Sequence, residues 1–354
     1  MRIALLGEGS NVHTRRWVDY FQSRGDEVLW LTLEDTPPTE ARVMRLGRRG
    51  RLHALAYTSA WPRARRALDD FAPDLVNAHF IPNYGWMAAL AGRRPLALST
   101  WGSDVLVNPR RSPLHRWRAR FVLRRADLVT SDAEMMSEEI RRLEPKVAPV
   151  LTVPMGLERE LYERGRATDD RPPVILHYRN LEPVYDVPTL LRALPAFFER
   201  HPEYSARLAG EGSLRGELEA LARQLGVADR VSFLGRLDRE ALVDELLGAR
   251  LYLSCSLSDS TSVSLLEAMA LGAYPVLSDL PANREWLDEN GGEFYPAGEP
   301  GALSEALERA AARDAGELNR RREANRARVG ERALWDENMD RVRRAFGELA
   351  GVKP

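Results

Sequence analysis

Residues 251–279, LYLSCSLSDSTSVSLLEAMALGAYPVLSD, constrain the fold of this chain more than any other stretch. They read as a buried strand over Leu251–Leu257, a polar loop over Ser258–Ser262, a helix over Val263–Leu271 and a second strand over Tyr274–Leu277. Gly272, directly after the helical run, suits a helix stop. At the strand-to-helix junction two carboxylates, Asp259 and Glu267, stand eight positions apart with a row of Ser and Thr between them. The N-terminus of such a helix carries about half a positive charge and unpaired N–H groups, which suits it to phosphate. Carboxylates that accept sugar hydroxyls beside a phosphate pocket point to a nucleotide-sugar site. Ser264-Leu265-Leu266-Glu267 also fits the S-x-x-E capping box, which would make Glu267 a helix cap only.

The rest of the chain repeats this alternation of strands and helices, the pattern of doubly wound parallel sheets. At 354 residues two domains are expected, because single cores stop growing at roughly 250–300 residues. No apolar run reaches the ~18 residues of a membrane span, and MRIALLGEG is too short and weakly flanked for a signal peptide. The single cysteine, Cys255, lies in an apolar run and reads as a small core residue, so no disulfide forms within the chain. A cytoplasmic protein is expected. Charge is unevenly spread: residues 1–155 hold 24 Lys and Arg against 17 Asp and Glu, and the remainder 27 against 35. The first half therefore suits an anionic partner, a charged acceptor or a membrane surface.

Arg2–Leu6, the turn Gly7-Glu8-Gly9-Ser10, a helical run from His13 to Phe21 and the strand Glu27–Leu33 form a βαβ opening. A dinucleotide fingerprint would need a third glycine where Val12 stands, although Glu34 could bind a ribose and keeps a nicotinamide enzyme as an alternative. Residues 110–125 interleave arginines with apolar residues, and helical spacing puts Trp117, Phe121 and Arg124 on a common side. Arg110–Arg125 could lie on an anionic membrane surface. The same pattern fits a helix that covers its own sheet with a solvated arginine face. Nucleic acid is not expected, because base-stacking aromatic platforms and an overall basic balance are absent. Arg159–Pro173, charged and ending in Pro-Pro, reads as a linker, and T-D-D-R at Thr168–Arg171 as a solvated charge run rather than a metal site. In the tail Trp335, Met339, Val342 and Phe346 recur at helical spacing as one apolar stripe.

The sequence D-S-T-S-V-S-L-L-E-A-M-A-L-G resembles the E-x7-E signature of retaining glycosyltransferases of family four, with the GT-B fold, Asp259 replacing the usual first Glu. The resemblance extends over nearly the whole chain. Pro73–His79, Pro95–Thr100 with Trp101-Gly102-Ser103-Asp104, and Ala126–Ser131 are similar to segments of the family's first domain. Many relatives have T-H-G-S-D where this chain has Trp101, so the role of that histidine is missing, unnecessary, or supplied by His13 or His79. Val150–Glu158 resembles the passage between the two domains. Arg179 stands where the family's R-x4-K-G begins, but no lysine occurs from 147 to 352, so Arg179 either carries the charge alone or is helped by another arginine, by helix amides or by Tyr185. Gly210-Glu211-Gly212 and Val231–Leu237 are similar to the family's G-x-G and V-x-F-x-G segments.

The resemblance implies two Rossmann-like doubly wound domains facing across a cleft. Residues 1–155 plus the C-terminal helix 335–354 would bind acceptor, and 156–334 the nucleotide sugar. It implies a catalytic set of Asp259, Arg179, His79 and His13. Glu267, Ser262, Val263, Ser264, Gly235, Arg236, Leu237, Tyr185 and Gly210 would bind the donor. The expected partners are a UDP- or GDP-sugar and a carbohydrate or lipid-linked acceptor, with no cofactor and no metal. The alternatives are a sugar-nucleotide epimerase or phosphorylase on the same scaffold, and a non-catalytic sugar-binding module.

Overall fold

The computed structural model describes residues 1–47, 53–166 and 171–352. The chain divides into two compact units, Met1–Pro154 with Glu337–Pro354, and Met155–Asp336. Each is built on one fully parallel sheet, whose central strands are short apolar runs because both faces are covered, while the edge strand Arg42–Arg45 is exposed.

In the first unit the strands are β1 (Arg2–Leu6), β2 (Glu27–Thr32), β3 (Arg42–Arg45), β4 (Leu75–His79), β5 (Leu96–Ser99), β6 (Leu128–Ser131) and β7 (Val150–Thr152). They lie in the order 3-2-1-4-5-6-7. Helices α1 (Val12–Ser23), α2 (His53–Phe71), α3 (Trp86–Ala91), α4 (Ser103–Leu106), α5 (Pro113–Leu123) and α6 (Glu134–Leu143) connect them. Asn11 caps α1, its side-chain oxygen accepting from the amides of His13 and Thr14.

The second unit opens with α7 (Arg159–Arg164) and has strands β8 (Val174–Tyr178), β9 (Ser205–Ala209), β10 (Val231–Gly235), β11 (Leu251–Ser254), β12 (Tyr274–Ser278) and β13 (Glu293–Tyr295). Their order, 10-9-8-11-12-13, is the Rossmann order. Helices α8 (Val187–Arg200), α9 (Arg215–Gln224), α10 (Arg239–Gly248), α11 (Val263–Leu271), α12 (Pro281–Arg284), α13 (Pro300–Ala311) and α14 (Ala315–Arg332) pack on both faces. All but Val263 of the residues of α11 are buried, so its N-terminus is held rigidly at the edge of the sheet.

The last helix, α15 (Trp335–Ala350), carries the stripe expected of it: Trp335, Met339, Val342 and Phe346 are all buried. Phe346 stacks on Phe21 with ring centroids 5.7 Å apart, and Arg343 donates to both oxygens of buried Asp26 at 2.8 and 3.1 Å.

Two sequence readings change. The strand from Leu251 ends at Ser254, and Cys255 and Ser256 continue as buried coil. Arg159–Pro173 is no linker: it opens with a helix whose Leu161 is buried, and Arg171 is buried too, donating to the carbonyls of Leu246, Ala249, Arg166 and Leu271. The Thr168–Asp170 part of the charge run lies outside the described residues. Among the described residues no helix is long and apolar enough to cross a membrane.

Candidate functional site

Open parallel sheets bind ligands beyond the carboxyl ends of their strands where the strand order reverses. In the second unit that point lies between β8 and β11, which pair in parallel with Leu251 opposite Ile175. Arg179 is the first residue beyond β8, and the loop beyond β11 leads through Asp259 to α11.

Arg179 ties these pieces together. Its Nη2 meets Asp259 Oδ2 at 2.9 Å, and the two side chains are only 12% and 15% exposed. Its Nη1 donates to the hydroxyls of Ser262 and Ser264, the latter at 3.0 Å. The guanidinium lies 4.3 Å from the ring centroid of Tyr185. Burial works against the charge on Arg179, yet Asp259, Tyr252 and Tyr185 together hold its pKa above the usual arginine value. Burial lifts the Asp259 carboxyl above the ordinary carboxylate range, with Arg179 opposing the rise. Breaking such a buried pair typically costs about 3–5 kcal/mol, so Arg179 has a defined position before any ligand arrives.

The N-terminus of α11 points at the same place. Ser262 is its N-cap and accepts from Leu265 N, so the amides of Val263 and Ser264 are the first two of the helix and have no intrahelical partner. Tyr252 OH and Ser264 Oγ lie 2.8 Å apart and fix the serine rotamer. This placement rules out the capping-box reading. With the cap at Ser262 a capping carboxylate would stand at Leu265, whereas Glu267 lies two residues further along.

Glu267 is nearly fully buried, and its Oε1 meets Arg239 Nη1 at 2.5 Å. Arg239 also meets Glu158 Oε2 at 3.1 Å. A carboxylate has about four acceptor positions, more than the single contact with Arg239 occupies. Sequence reasoning passed over Arg239, although a signal was available. It is the first residue of α10, after the N-cap Asp238, where a cation opposes the helix dipole and needs an anionic partner elsewhere.

The glycine-rich turns are steric requirements. Gly210 has φ +134°, and a Cβ there would lie 2.2 Å from the carbonyl oxygen of Arg179. Its amide donates to Gly235 O at 2.8 Å, so the turns after β8, β9 and β10 are joined backbone to backbone. Gly235 has φ +71°; Arg236 beside it is exposed, and Leu237 packs partly against the core. The structure thus gathers Arg179, Tyr185, Asp259 and Ser262–Ser264 into one contact network, with Gly210 against the Arg179 backbone. Glu267 joins a second network, with Arg239 and Glu158.

His13 and His79 belong to the first unit, at the carboxyl edge of its sheet. Trp101 covers both, with ring centroids 5.6 Å from His13 and 5.0 Å from His79. Trp17 meets His79 edge-on at 4.9 Å. His79 is 2% exposed and its Nε2 lies 2.9 Å from Asn77 Oδ1, while Asn77 Nδ2 donates to Ser99. Burial, with a smaller contribution from the neighbouring histidine, lowers the His79 pKa to about 3; burial and then Arg16 lower that of His13 to about 4. Both imidazoles are neutral at pH 7. His79 is buried with Trp17 and Trp101 packed on its ring, whereas His13 is partly exposed. Asp104 fixes the tryptophan turn by accepting from the amides of Trp101 at 2.9 Å and Ile81 at 3.0 Å. Glu34, the candidate ribose ligand, instead accepts hydrogen bonds from Tyr84, Thr32 and the amide of Gly9.

Comparison with known proteins agrees with this geometry. Residues 158–328 match the family model described as glycosyl transferases group 1, and residues 2–133 match the glycosyl transferase 4-like model. The structure superposes on a sucrose-phosphate synthase from Thermosynechococcus elongatus with a TM-score of 0.82 at 17% identity, over 99% of both chains. It superposes on the HepE protein of Anabaena, solved in complex with UDP-glucose, with a TM-score of 0.80 at 18% identity, over 99% of this chain and 100% of that one. The architecture is therefore that of the GT-B glycosyltransferases.

Among curated proteins, the chain is 34% identical to a phosphatidyl-myo-inositol mannosyltransferase of Mycobacterium leprae over 129 residues, 36% of this chain and 33% of that one. It is 32% identical to an uncharacterized glycosyltransferase of Methanocaldococcus jannaschii over 143 residues, 39% and 36% of the two chains. These matches span about a third of each relative's length. Residues 158–328 thus carry a group 1 glycosyltransferase domain, and residues 2–133 a glycosyl transferase 4-like one.

Proposed function

We propose that the protein moves a sugar from a UDP- or GDP-sugar to a carbohydrate or lipid-linked acceptor in the cytoplasm, with retention of anomeric configuration. The observation that carries this reading is the convergence of Arg179 and the α11 N-terminus on one point, with Asp259 beside them and Glu267 further along the same helix. The UDP-glucose complex of the Anabaena neighbour and the mannosyltransferase names of the curated relatives support it.

In this reading the diphosphate lies on the Val263 and Ser264 amides and takes the Arg179 guanidinium. Asp259 and Glu267 accept donor hydroxyls, while Tyr185 and the turns at Gly210 and Gly235–Leu237 line the nucleotide. The bond from the anomeric carbon to the diphosphate oxygen breaks as the acceptor oxygen bonds to that carbon from the same face. The departing diphosphate takes the acceptor proton, so no side-chain base is required. Arg179 and the helix amides stabilise the charge that grows on the leaving group, usually the largest catalytic contribution. No metal is required for that charge. His13 and His79 act as neutral groups on the acceptor side, with His13 the more accessible.

The test is incubation with UDP-, GDP- and ADP-sugars while nucleotide release is followed with and without acceptor extracts. Release that requires acceptor is the expected result. Turnover without acceptor would point to epimerisation or hydrolysis, and silence with every donor to a sugar-binding module.

A further inference from the structure

The first unit carries a second feature, unconnected with the donor site. A pocket of about 630 Å³ runs along α5, walled by Trp117, Phe121 and five arginines. The inner face of this helix, Ala119, Val122 and Leu123, is buried and covers the sheet. The outer face does something else.

Of the five arginines, Arg94 pairs with Asp127, and Arg120 and Arg124 share the single carboxylate of Glu144. Arg125 lies 4.3 Å from the ring centroid of Phe121. The Arg116 side chain makes no ion pair or side-chain hydrogen bond among the described residues. Five positive charges thus face two negative ones. Beside this surplus stand exposed apolar side chains of the same helix: Trp117 is 54% exposed and Leu114 62%. Trp117 touches Phe121 at a centroid distance of 5.7 Å and leaves much of its ring open.

We infer that this face of α5 docks on an anionic phospholipid surface, with a lipid phosphate in the arginine pocket and Trp117 and Leu114 at the level of the headgroups. An excess of guanidinium groups beside an exposed tryptophan and aliphatic side chains matches an interface that is anionic on one side and apolar on the other. A nucleic acid would satisfy the arginines but leave Leu114 in water; a bilayer covers the charged and the apolar side chains alike. The inference does not depend on the transferase reading.

The full chain is sedimented with phosphatidylcholine vesicles and with mixed phosphatidylcholine–phosphatidylglycerol vesicles. Binding is expected only to the mixed vesicles and is expected to fall with added salt. Arg116→Glu changes two charges at a surface where each is worth about 1 kcal/mol, so affinity is expected to drop roughly thirtyfold. Trp117→Ser is expected to weaken binding independently of salt. Nucleoside-diphosphate affinity and melting temperature, measured on the same samples, are expected to match wild type, which separates loss of docking from loss of fold or donor site. Equal binding to pure phosphatidylcholine, or unchanged binding by both variants, would overturn the inference. So would a pocket that binds inorganic phosphate or polynucleotide while the chain ignores vesicles.

Discussion

Arg179→Ala is expected to lower sugar transfer by one to two orders of magnitude. A hydrogen bond to a charged group is worth roughly 1.5–3 kcal/mol, and about 1.4 kcal/mol is one decade in rate. The structure adds a reason for a large effect, because Arg179 is the charge partner of Asp259 at 2.9 Å. Its removal leaves a buried carboxylate unpaired at the place where the diphosphate is proposed to bind, which repels the donor as well as withdrawing a cation. The double variant Arg179→Ala, Asp259→Asn separates the two contributions. If repulsion alone were responsible, the second substitution would restore the rate. The account expects at most partial recovery, since the guanidinium is required in the transition state. An unchanged rate in the single variant would remove Arg179 from the site.

Glu267→Ala is expected to weaken nucleoside-diphosphate binding about tenfold or more, on the same scale of hydrogen-bond energies. Its effect on stability is expected to be smaller. Glu267 is not the cap of α11, which is Ser262, and its ion-pair partner Arg239 has a side chain 46% exposed that can return to water. Calorimetric titration with UDP and GDP, together with a thermal melt, distinguishes the roles. Weakened binding with a nearly unchanged melting temperature supports the hydroxyl-binding role. A lowered melting temperature with unchanged affinity would make Glu267 a structural ion-pair residue.

The parts of this fold legible in the sequence are those dictated by local chemistry. Apolar runs covered on both faces fixed the central strands to within a few residues, and Gly272, with φ +84°, ended α11 where expected. The stripe from Trp335 to Phe346 was equally plain, because a helix spacing of three and four needs no tertiary information. The candidate site was legible in part. Asp259 and Ser262–Ser264 are close in sequence, in and just after the loop that leads from β11 to α11.

What remained hidden depends on contacts across long separations. Nothing local shows that Arg179, some eighty residues upstream, is paired with Asp259, or that Glu267 holds Arg239. Trp101 was visible as a departure from the family pattern, but not that it covers both His13 and His79. The Arg159–Pro173 segment misled because its charge and prolines resemble a linker. The sequence pattern cannot register that α7 buries Leu161 and that Arg171 donates to four backbone carbonyls. On α5 the reading of a helix that covers its own sheet holds for the inner face, where Ala119, Val122 and Leu123 are buried.

The central claim is that a donor diphosphate rests where β11 gives way to α11. A crystal structure of the full chain soaked with UDP or GDP tests it most directly. The account expects phosphate oxygens within hydrogen-bond distance of the Val263 and Ser264 amides and of Arg179, with Glu267 turned to the ribose hydroxyls. A nucleotide bound elsewhere, with the Arg179–Asp259 pair undisturbed and Glu267 holding Arg239 alone, would contradict it.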